Sequence, residues 1–353
     1  MSSTHDDRDD LFDRDDFDGP DDGALAADEA APTGRRRSRR RKGLCCGLSA
    51  VLILALVAAA VVGGYFFSLN DKYQKNVDFV TLDKKDREAQ GKGTNILLLG
   101  SDKRSGEEAK TVTGQRSDVM MLVHIDADNK HAYVLSFPRD LYIDIPGHGK
   151  DRINSALAYG GVPLATQTVE KYVGTKIDHV ALVDFDGIKK IVDTLGGVDV
   201  KVSRSFEGDG IQFTQGTQHM DGETALTFVR QRKQLPGGDF DRNANQRALL
   251  SALVGKILSG DTLSDPNKIQ QLAGDITPYM TVDDGLTGTK VAQLGLANRG
   301  LRSEDITYGS VPHGDPTTTS GGASVVATDD AGMEKFRTAL KEDRLDEWAK
   351  ENL

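Results

Sequence analysis

Cysteine is nearly absent. Cys45 and Cys46 sit side by side and no thiol follows them, which excludes a disulfide framework and any cysteine-ligated zinc or iron site downstream. Histidine is sparse as well. His5, His124, His131, His148, His179, His219 and His313 show neither H-E-x-x-H nor any paired ligand spacing, which argues against a zinc hydrolase and reads each as a surface or turn residue. There is no G-x-S-x-G elbow, so serine hydrolase chemistry has no support. Gly91-Lys92-Gly93-Thr94 precedes an apolar run, where a phosphate loop would follow one, and it lacks the G-x-x-x-x-G-K-[ST] frame. Aromatic residues make up only 6% of the 353, and no internal repeat is found.

What is present divides into unlike segments. Residues 1–34 carry a net charge of −10, the run Arg35–Lys42 (RRRSRRRK) carries +7, and the remainder carries −7. The acidic stretch has too few large apolar groups to offset the entropy of ordering its backbone, so residues 1–42 are expected to form a disordered tail ending in a basic run. From Leu44 to Leu69 there is no charge. A bilayer core of ~30 Å needs about 20 apolar residues in helix, so residues 43–69 are expected to span a membrane, with Tyr65, Phe66 and Phe67 at the far interface. The basic flank then keeps the N-terminus in the cytoplasm and the rest outside. The rival is a cleaved signal peptide, with Leu48–Val57 as its apolar region and Ala58–Ala60 as the cleavage site; apolarity continuing through Phe67 favours the anchor. Cys45 and Cys46 at the cytoplasmic edge are either acylated or passive helix residues. Residues 70–92 read as an extracellular stalk, and residues 93–345 as the folded domain.

Within that domain three short apolar runs read as neighbouring strands: Asn95–Leu99, Val119–Ile125 and Ala132–Phe137, the last two joined by the turn-forming Asp126–Lys130. Helices are expected at Ser155–Tyr159 extending to Pro163–Val173, at Phe185–Leu195, and at Gly222–Val229, Arg242–Leu258, Ile269–Asp275, Leu286–Ala297 and Asp330–Leu340. Strands are expected at Val198–Val202 and Ile306–Val311. Strands and helices mix without a regular βαβ repeat. The fold class is therefore α/β, a three-layer arrangement with a mixed central β-sheet flanked by helices on both faces.

Arginines and acids fall where apolar elements end. Asp102 follows the first strand, Arg116 and Asp118 precede the second, and Arg139 and Asp140 follow the third. If the three strands pair in antiparallel order, these residues meet at one edge of the sheet, where two carboxylates would offer the hard oxygen ligands that Mg²⁺ prefers. Asp102 and Asp118 also suit ordinary turn and cap positions. A second cluster runs from Arg230 and Arg232 through Asp239 and Asp241 to Arg242, Gln246 and Arg247. As an extended pair, Arg230 and Arg232 would point the same way, and Arg242 and Gln246 would share a helix face. Four arginines in eighteen residues suit either a phosphate site or a salt-bridged surface helix with Asp239 and Asp241 as partners.

These motifs together resemble the LytR-CpsA-Psr family: NILLLGSDKR, RSDVMMLV, LSFPRDLYIDIPG, RINSALAYGG, DFDGIKKIVDTLGGVDV, GTQHMDGETALTFVRQR and GGDFDRNANQ, in order, from about Gly93 to the closing helix. The resemblance implies a phosphotransferase of the Gram-positive cell envelope. Its members move a glycopolymer from a polyprenyl-pyrophosphate lipid to peptidoglycan, as a phosphodiester at the muramic acid C6 hydroxyl. By position in the shared motifs, Asp102 and Asp118 would hold Mg²⁺, with Mn²⁺ as the alternative. Arg116, Arg139, Arg230, Arg232, Arg242 and Gln246 would bind the pyrophosphate, and Asp239 would orient arginines or help take the hydroxyl proton. The catalytic set so implied is Asp118, Arg139, Arg230, Arg232 and Asp239. Asn245 departs from the pattern, standing where relatives often carry arginine. The partners implied are the lipid-linked glycan, peptidoglycan and the bilayer, with no nucleic acid. The alternatives are a polyprenyl-pyrophosphate hydrolase and a membrane-anchored regulator or binding protein.

Overall fold

The computed structural model describes residues 64, 65, 67–82, 87–101 and 117–353. The expected tail and nearly all of the expected membrane span lie outside these residues. Among the described residues no helix is long and apolar enough to cross a membrane.

The first half of the described chain runs through α1 (67–76), β1 (Asp78–Val80), β2 (Thr94–Ser101), β3 (Ser117–Ile125), β4 (Ala132–Ser136), β5 (Tyr142–Ile145), β6 (Gly149–Arg152), α2 (Ser155–Val173), β7 (His179–Asp184) and α3 (Phe185–Thr194). The middle comprises β8 (Val198–Val202), β9 (Phe206–Gly208), β10 (Ile211–Phe213), β11 (Gly216–Met220), α4 (Gly222–Arg230) and α5 (Asp239–Ile257). The last part comprises α6 (Gly260–Leu263), α7 (Pro266–Ile276), β12 (Met280–Asp283), α8 (Gly288–Ala297), β13 (Ile306–Ser310), β14 (Pro316–Thr318), β15 (Ser324–Val326), α9 (Asp330–Glu342) and α10 (Leu345–Asn352).

Seven strands form one mixed sheet in the order β1-β12-β7-β2-β3-β4-β13. The pairs β1–β12, β7–β2 and β4–β13 are parallel and the other three antiparallel. The three apolar runs do pair as antiparallel neighbours, through Leu97 with Leu122 and Leu122 with Leu135. Side chains alternate across the pleat. Leu97 and Leu99 of β2 face a core shared with Ala165 and Val169 of α2 and with Met333, Phe336 and Leu340 of α9. Leu98, one residue out of phase, packs against a cluster holding Ala181, Val282 and Tyr73. Helices α3, α4 and α5 enclose a further core with β8. Helices thus cover both faces of a mixed sheet, as the sequence pattern requires. Helix α2 is kinked at Gly160 and Gly161, the latter at φ 63, which accounts for its two-part sequence signature.

The start of the fold is a correction. A stalk at 70–92 with the domain beginning at Gly93 places the boundary too late. Tyr73 and Val77 are buried, the Tyr73 hydroxyl donates to the Leu286 carbonyl at 2.8 Å, and Asp78–Val80 lies parallel to β12 as the edge strand. Two apolar residues at i, i+4 suffice to dock α1, although the charged composition hides them. Arg87 is tied in as well. Its Nε and Nη2 donate to the Glu170 carboxylate at 2.6–2.9 Å, and Glu170, fully buried, also accepts from Ile177 N at 2.7 Å. Removing one partner of a buried pair strands the other charge, so Glu170→Ala should lower stability by about 3–5 kcal/mol. For a domain of this size that is a fall in Tm on the order of 10 °C, and a melt within about 1 °C of the parent would show that the pair contributes nothing.

Two histidines also correct the sequence reading. His124 and His179 are not surface residues: strand alternation turns both inward, where His124 is fully buried and His179 only 7% exposed. His179 Nδ1 lies 3.2 Å from the Asp283 carboxylate. Burial alone would push the Asp283 carboxyl up, but His179 and the N–H groups of Val180 and Gly285 hold it below the usual range.

Candidate active site

The sheet register gathers several strand ends at one edge. Ser101 at the end of β2 pairs with Ser117 at the start of β3 and with Asp184 at the end of β7; Ser136 at the end of β4 pairs with Ser310 at the end of β13. This is the convergence that antiparallel pairing of the first three strands implies. Asp102 and Arg116 lie outside the described residues. Asp118 sits in β3 directly after Ser117, with only its backbone described.

Arg139 and Asp140 follow β4 and are held by backbone pairing. Asn154 N donates to Arg139 O at 3.3 Å and Val326 N to Asp140 O at 2.8 Å. Arg152, at the end of β6, brings Nε to 3.7 Å from Asp140 Oδ1 and donates through Nε and Nη2 to Ser324 O. Burial and the Asp239 charge push the Asp140 carboxyl up, against the opposing pull of Arg139, Arg152 and Arg232. Those neighbours join the two sequence clusters: Asp140 from the β4 end and Asp239 from the start of α5 share one electrostatic environment.

Helix α5 begins three residues earlier than the pattern from Arg242 suggests. Gly238, at φ 55, supplies its N-cap, and Asp239 and Asp241 occupy the first turn, where carboxylates complement the positive end of the helix dipole. Asp239 then bridges two guanidinium groups, Oδ1 to Arg242 Nη2 at 2.7 Å and Oδ2 to Arg232 Nη2 at 3.0 Å. Arg242 and Gln246 are both only 6% exposed and share the inward face of α5, as their spacing requires. The salt-bridged reading is thus realised for Asp239. Asp241 instead faces Arg204 at 3.6 Å.

The extended Arg230/Arg232 pair is not what forms. Arg230 is the last residue of α4, and Gln231, its extended C-cap, is drawn inward so that Nε2 donates to Asp209 Oδ2 at 2.8 Å. The two guanidinium groups diverge in consequence. Arg232 turns to Asp239, while Arg230 lies over the Phe185 ring with Cζ 4.4 Å from its centroid. Phe185 opens α3 directly after Asp184, so Arg230 still stands at the same sheet edge as Arg139.

Two residues of the sequence motifs that were not assigned to the pyrophosphate also lie here. Arg247, half-buried on α5, donates from Nη1 to Ser310 Oγ at 3.1 Å and Ser136 Oγ at 3.3 Å. Burial lowers its pKa, and a guanidinium stays charged regardless. Its place one residue after Gln246 was the available signal. Asn245, where an arginine was anticipated, is buried and donates to Phe228 O at 3.4 Å; it fixes the end of α4.

Beside these charges lies an apolar cavity of about 140 Å³, walled by Leu98, Leu99, Gly100, Val119, Met121, Val183, Ile188, Ile191, Val229, Leu249, Leu250 and Leu253, with Gln246 as its polar residue. Gly100 and Val119 adjoin the paired Ser101 and Ser117, Val229 adjoins Arg230, and Gln246 stands one turn from Arg242. A charged head site and an apolar slot therefore share one rim.

The LytR_cpsA_psr family model matches residues 65–342. The chain belongs to the LytR-CpsA-Psr family. The polyisoprenyl-teichoic acid–peptidoglycan teichoic acid transferase TagU of Enterococcus faecalis is 34% identical over 224 residues, 61% of this chain and 73% of that protein. Among solved structures, Bacillus subtilis TagV superposes with a TM-score of 0.61 at 30% identity, covering 72% of this chain and 98% of TagV. TagT bound to LI-WTA superposes with a TM-score of 0.59 at 26% identity, covering 75% and 98%. The family match starts at residue 65, in agreement with a fold that includes α1 and β1.

Proposed function

We propose that this protein transfers a glycopolymer from a polyprenyl-pyrophosphate carrier to peptidoglycan, forming a phosphodiester at the muramic acid C6 hydroxyl. The observation that carries this reading is the shared rim: arginines suited to a diphosphate border an apolar slot suited to the start of a prenyl chain. Arg139, Arg230, Arg232 and Arg242, with Gln246 and Arg116, bind the pyrophosphate. Asp102 and Asp118 would hold Mg²⁺, or Mn²⁺ in its place, since aspartate oxygens are the donor type such an ion prefers, and the ion would supply neutralisation of phosphate charge.

Phosphoryl transfer asks a protein mainly to position two reactants and neutralise charge. The C6 oxygen attacks the phosphorus bearing the glycopolymer, the bond to the bridging oxygen breaks, and the electron pair leaves with polyprenyl phosphate. Asp239, tied to two guanidinium groups, keeps Arg232 and Arg242 in place. Asp140, whose pKa is raised, is better matched to accept the hydroxyl proton. Residues 43–69 anchor the chain in the cell membrane of a Gram-positive bacterium, with the tail inside and the site outside, where lipid and acceptor meet.

The test incubates the full chain in detergent with a labelled lipid-pyrophosphate glycan and peptidoglycan, with and without Mg²⁺. Label on the acceptor, dependent on Mg²⁺, is expected. Label in released water-soluble glycan phosphate would make the protein a hydrolase, and no turnover would make it a binding protein.

A further inference from the structure

At the end of the sheet opposite the arginines, three donor atoms converge around His124. The strand register sets Asn95 of β2 across from His124 of β3. Asn95 Nδ2 donates to Lys176 O at 3.0 Å, which leaves Asn95 Oδ1 to accept from His124 Nδ1–H at 2.8 Å. That bond fixes the tautomer and leaves Nε2 as the lone-pair nitrogen of a neutral ring. Burial favours the neutral form, against the hydrogen bond and charge of Asp343 and the charge of Asp178.

Nε2 faces Asp343 Oδ1 at 3.1 Å and Asp126 Oδ1 at 3.6 Å, and the three donor atoms lie within 4.8 Å of one another. Asp126 Oδ1 is buried with no hydrogen-bond partner. Burial, then the Asp343 charge, push the Asp126 carboxyl up to about 6, with His131 opposing and Asp128 and Asp346 adding to the rise. Such a set of lone pairs aimed at one another is satisfied by a shared proton, as in a His124–Asp343 hydrogen bond, or by a bound cation. The surroundings are built for it: Ala127 N donates to both Asp343 oxygens at 3.1–3.2 Å. Gly93, at φ +71, passes so close that a Cβ there would lie 2.7 Å from His124 Cε1 and 3.1 Å from Asp343 Oδ1. Only glycine leaves this cradle open.

We propose that His124, Asp126 and Asp343 bind one divalent transition-metal cation, best matched by Zn²⁺, which clasps the joint between α9 and α10 to the end of β3. One imidazole nitrogen and two carboxylate oxygens are zinc donors, and bond lengths of about 2.0–2.2 Å put the donors of a tetrahedral site about 3.3–3.6 Å apart. A histidine whose other nitrogen donates to an amide carbonyl is the usual support for such a ligand. Mg²⁺, which seeks six oxygens, fits less well. The clasp joins residues 219 apart in sequence, and α9 and α10 supply Met333, Phe336, Leu340 and Trp348 to the main core, so the ion ties the C-terminal helices down.

The test uses the full chain in detergent, stripped with a chelator and held in excess Mg²⁺. Zinc retained after desalting is counted for the parent, Asp126→Asn and Asp343→Asn. The parent should retain one equivalent more than either variant, and Zn²⁺ should raise its Tm by several degrees while leaving theirs unchanged. Equal zinc in all three proteins would overturn the proposal. X-ray absorption of the zinc-loaded parent needs no variant: one imidazole among oxygen ligands supports the site, and a sulfur shell or an all-oxygen shell overturns it.

Discussion

Purified Arg230→Ala protein is expected to transfer glycopolymer on the order of 10²–10³ times more slowly than the parent, the usual effect of removing one transition-state donor. Folding should be nearly untouched. Arg230 is exposed at the end of α4, with its guanidinium over the Phe185 ring, a cation–π interaction of about 0.5–1 kcal/mol at such a site. Tm should therefore fall by no more than about 2–4 °C. Asp118→Ala should lose activity to a similar degree. Arg242→Ala would be a poorer probe, because Arg242 is buried and its loss takes one of the two guanidinium partners from Asp239. Single-turnover and steady-state rates on the same lipid-linked substrate check the result; unchanged turnover by Arg230→Ala would remove its pyrophosphate assignment, and by Asp118→Ala the metal assignment.

Ile191→Trp should act on the other half of the substrate. Ile191 is half-buried on α3 and lines the cavity, so an indole there occupies the space taken by the first isoprene unit. Because the carbons of that unit otherwise rest in lipid or detergent, the loss is one of packing and positioning, about 1–3 kcal/mol, which is on the order of 10–10² in KM for the long-chain carrier. Leu250→Phe should give a smaller change in the same direction. A pyrophosphate analogue with a methyl group in place of the prenyl chain separates the effects, since its turnover should not respond to either substitution. Equal losses on both substrates would mean that the cavity is ordinary core.

Strands built on an apolar run were legible: β2, β3 and β4 follow directly from theirs, and with them the sheet edge that carries Arg139. Strand β7 escaped notice, although it pairs β2 with β12, because polar residues bound it: His179 is satisfied by Asp283, 104 residues on, and Asp184 ends the strand by capping α3 at Gly187 N. The hairpin of β5 and β6 was hidden within a motif read only for Arg139. Helix α1 and strand β1 were masked by charges on their exposed side. At the site, position marked Arg139 at a strand end and Arg230, Arg232 and Arg242 as a second cluster, and the family resemblance alone joined the two; the direction of Arg230 could be read from neither. That direction depends on Gln231 reaching Asp209, 22 residues earlier, a tertiary contact that no local period encodes. His124 was misjudged for the same reason: its partners stand 29 and 219 residues away.

The slot beside the arginines is small. At about 140 Å³ it matches a space that holds one benzene-sized guest, far less than a whole polyprenyl chain. In the reading proposed here, loading the carrier withdraws only its leading carbons from the surrounding lipid, and the rest of the chain never leaves. Release of the spent carrier is correspondingly cheap, and the enzyme can work along a population of lipids without extracting any of them.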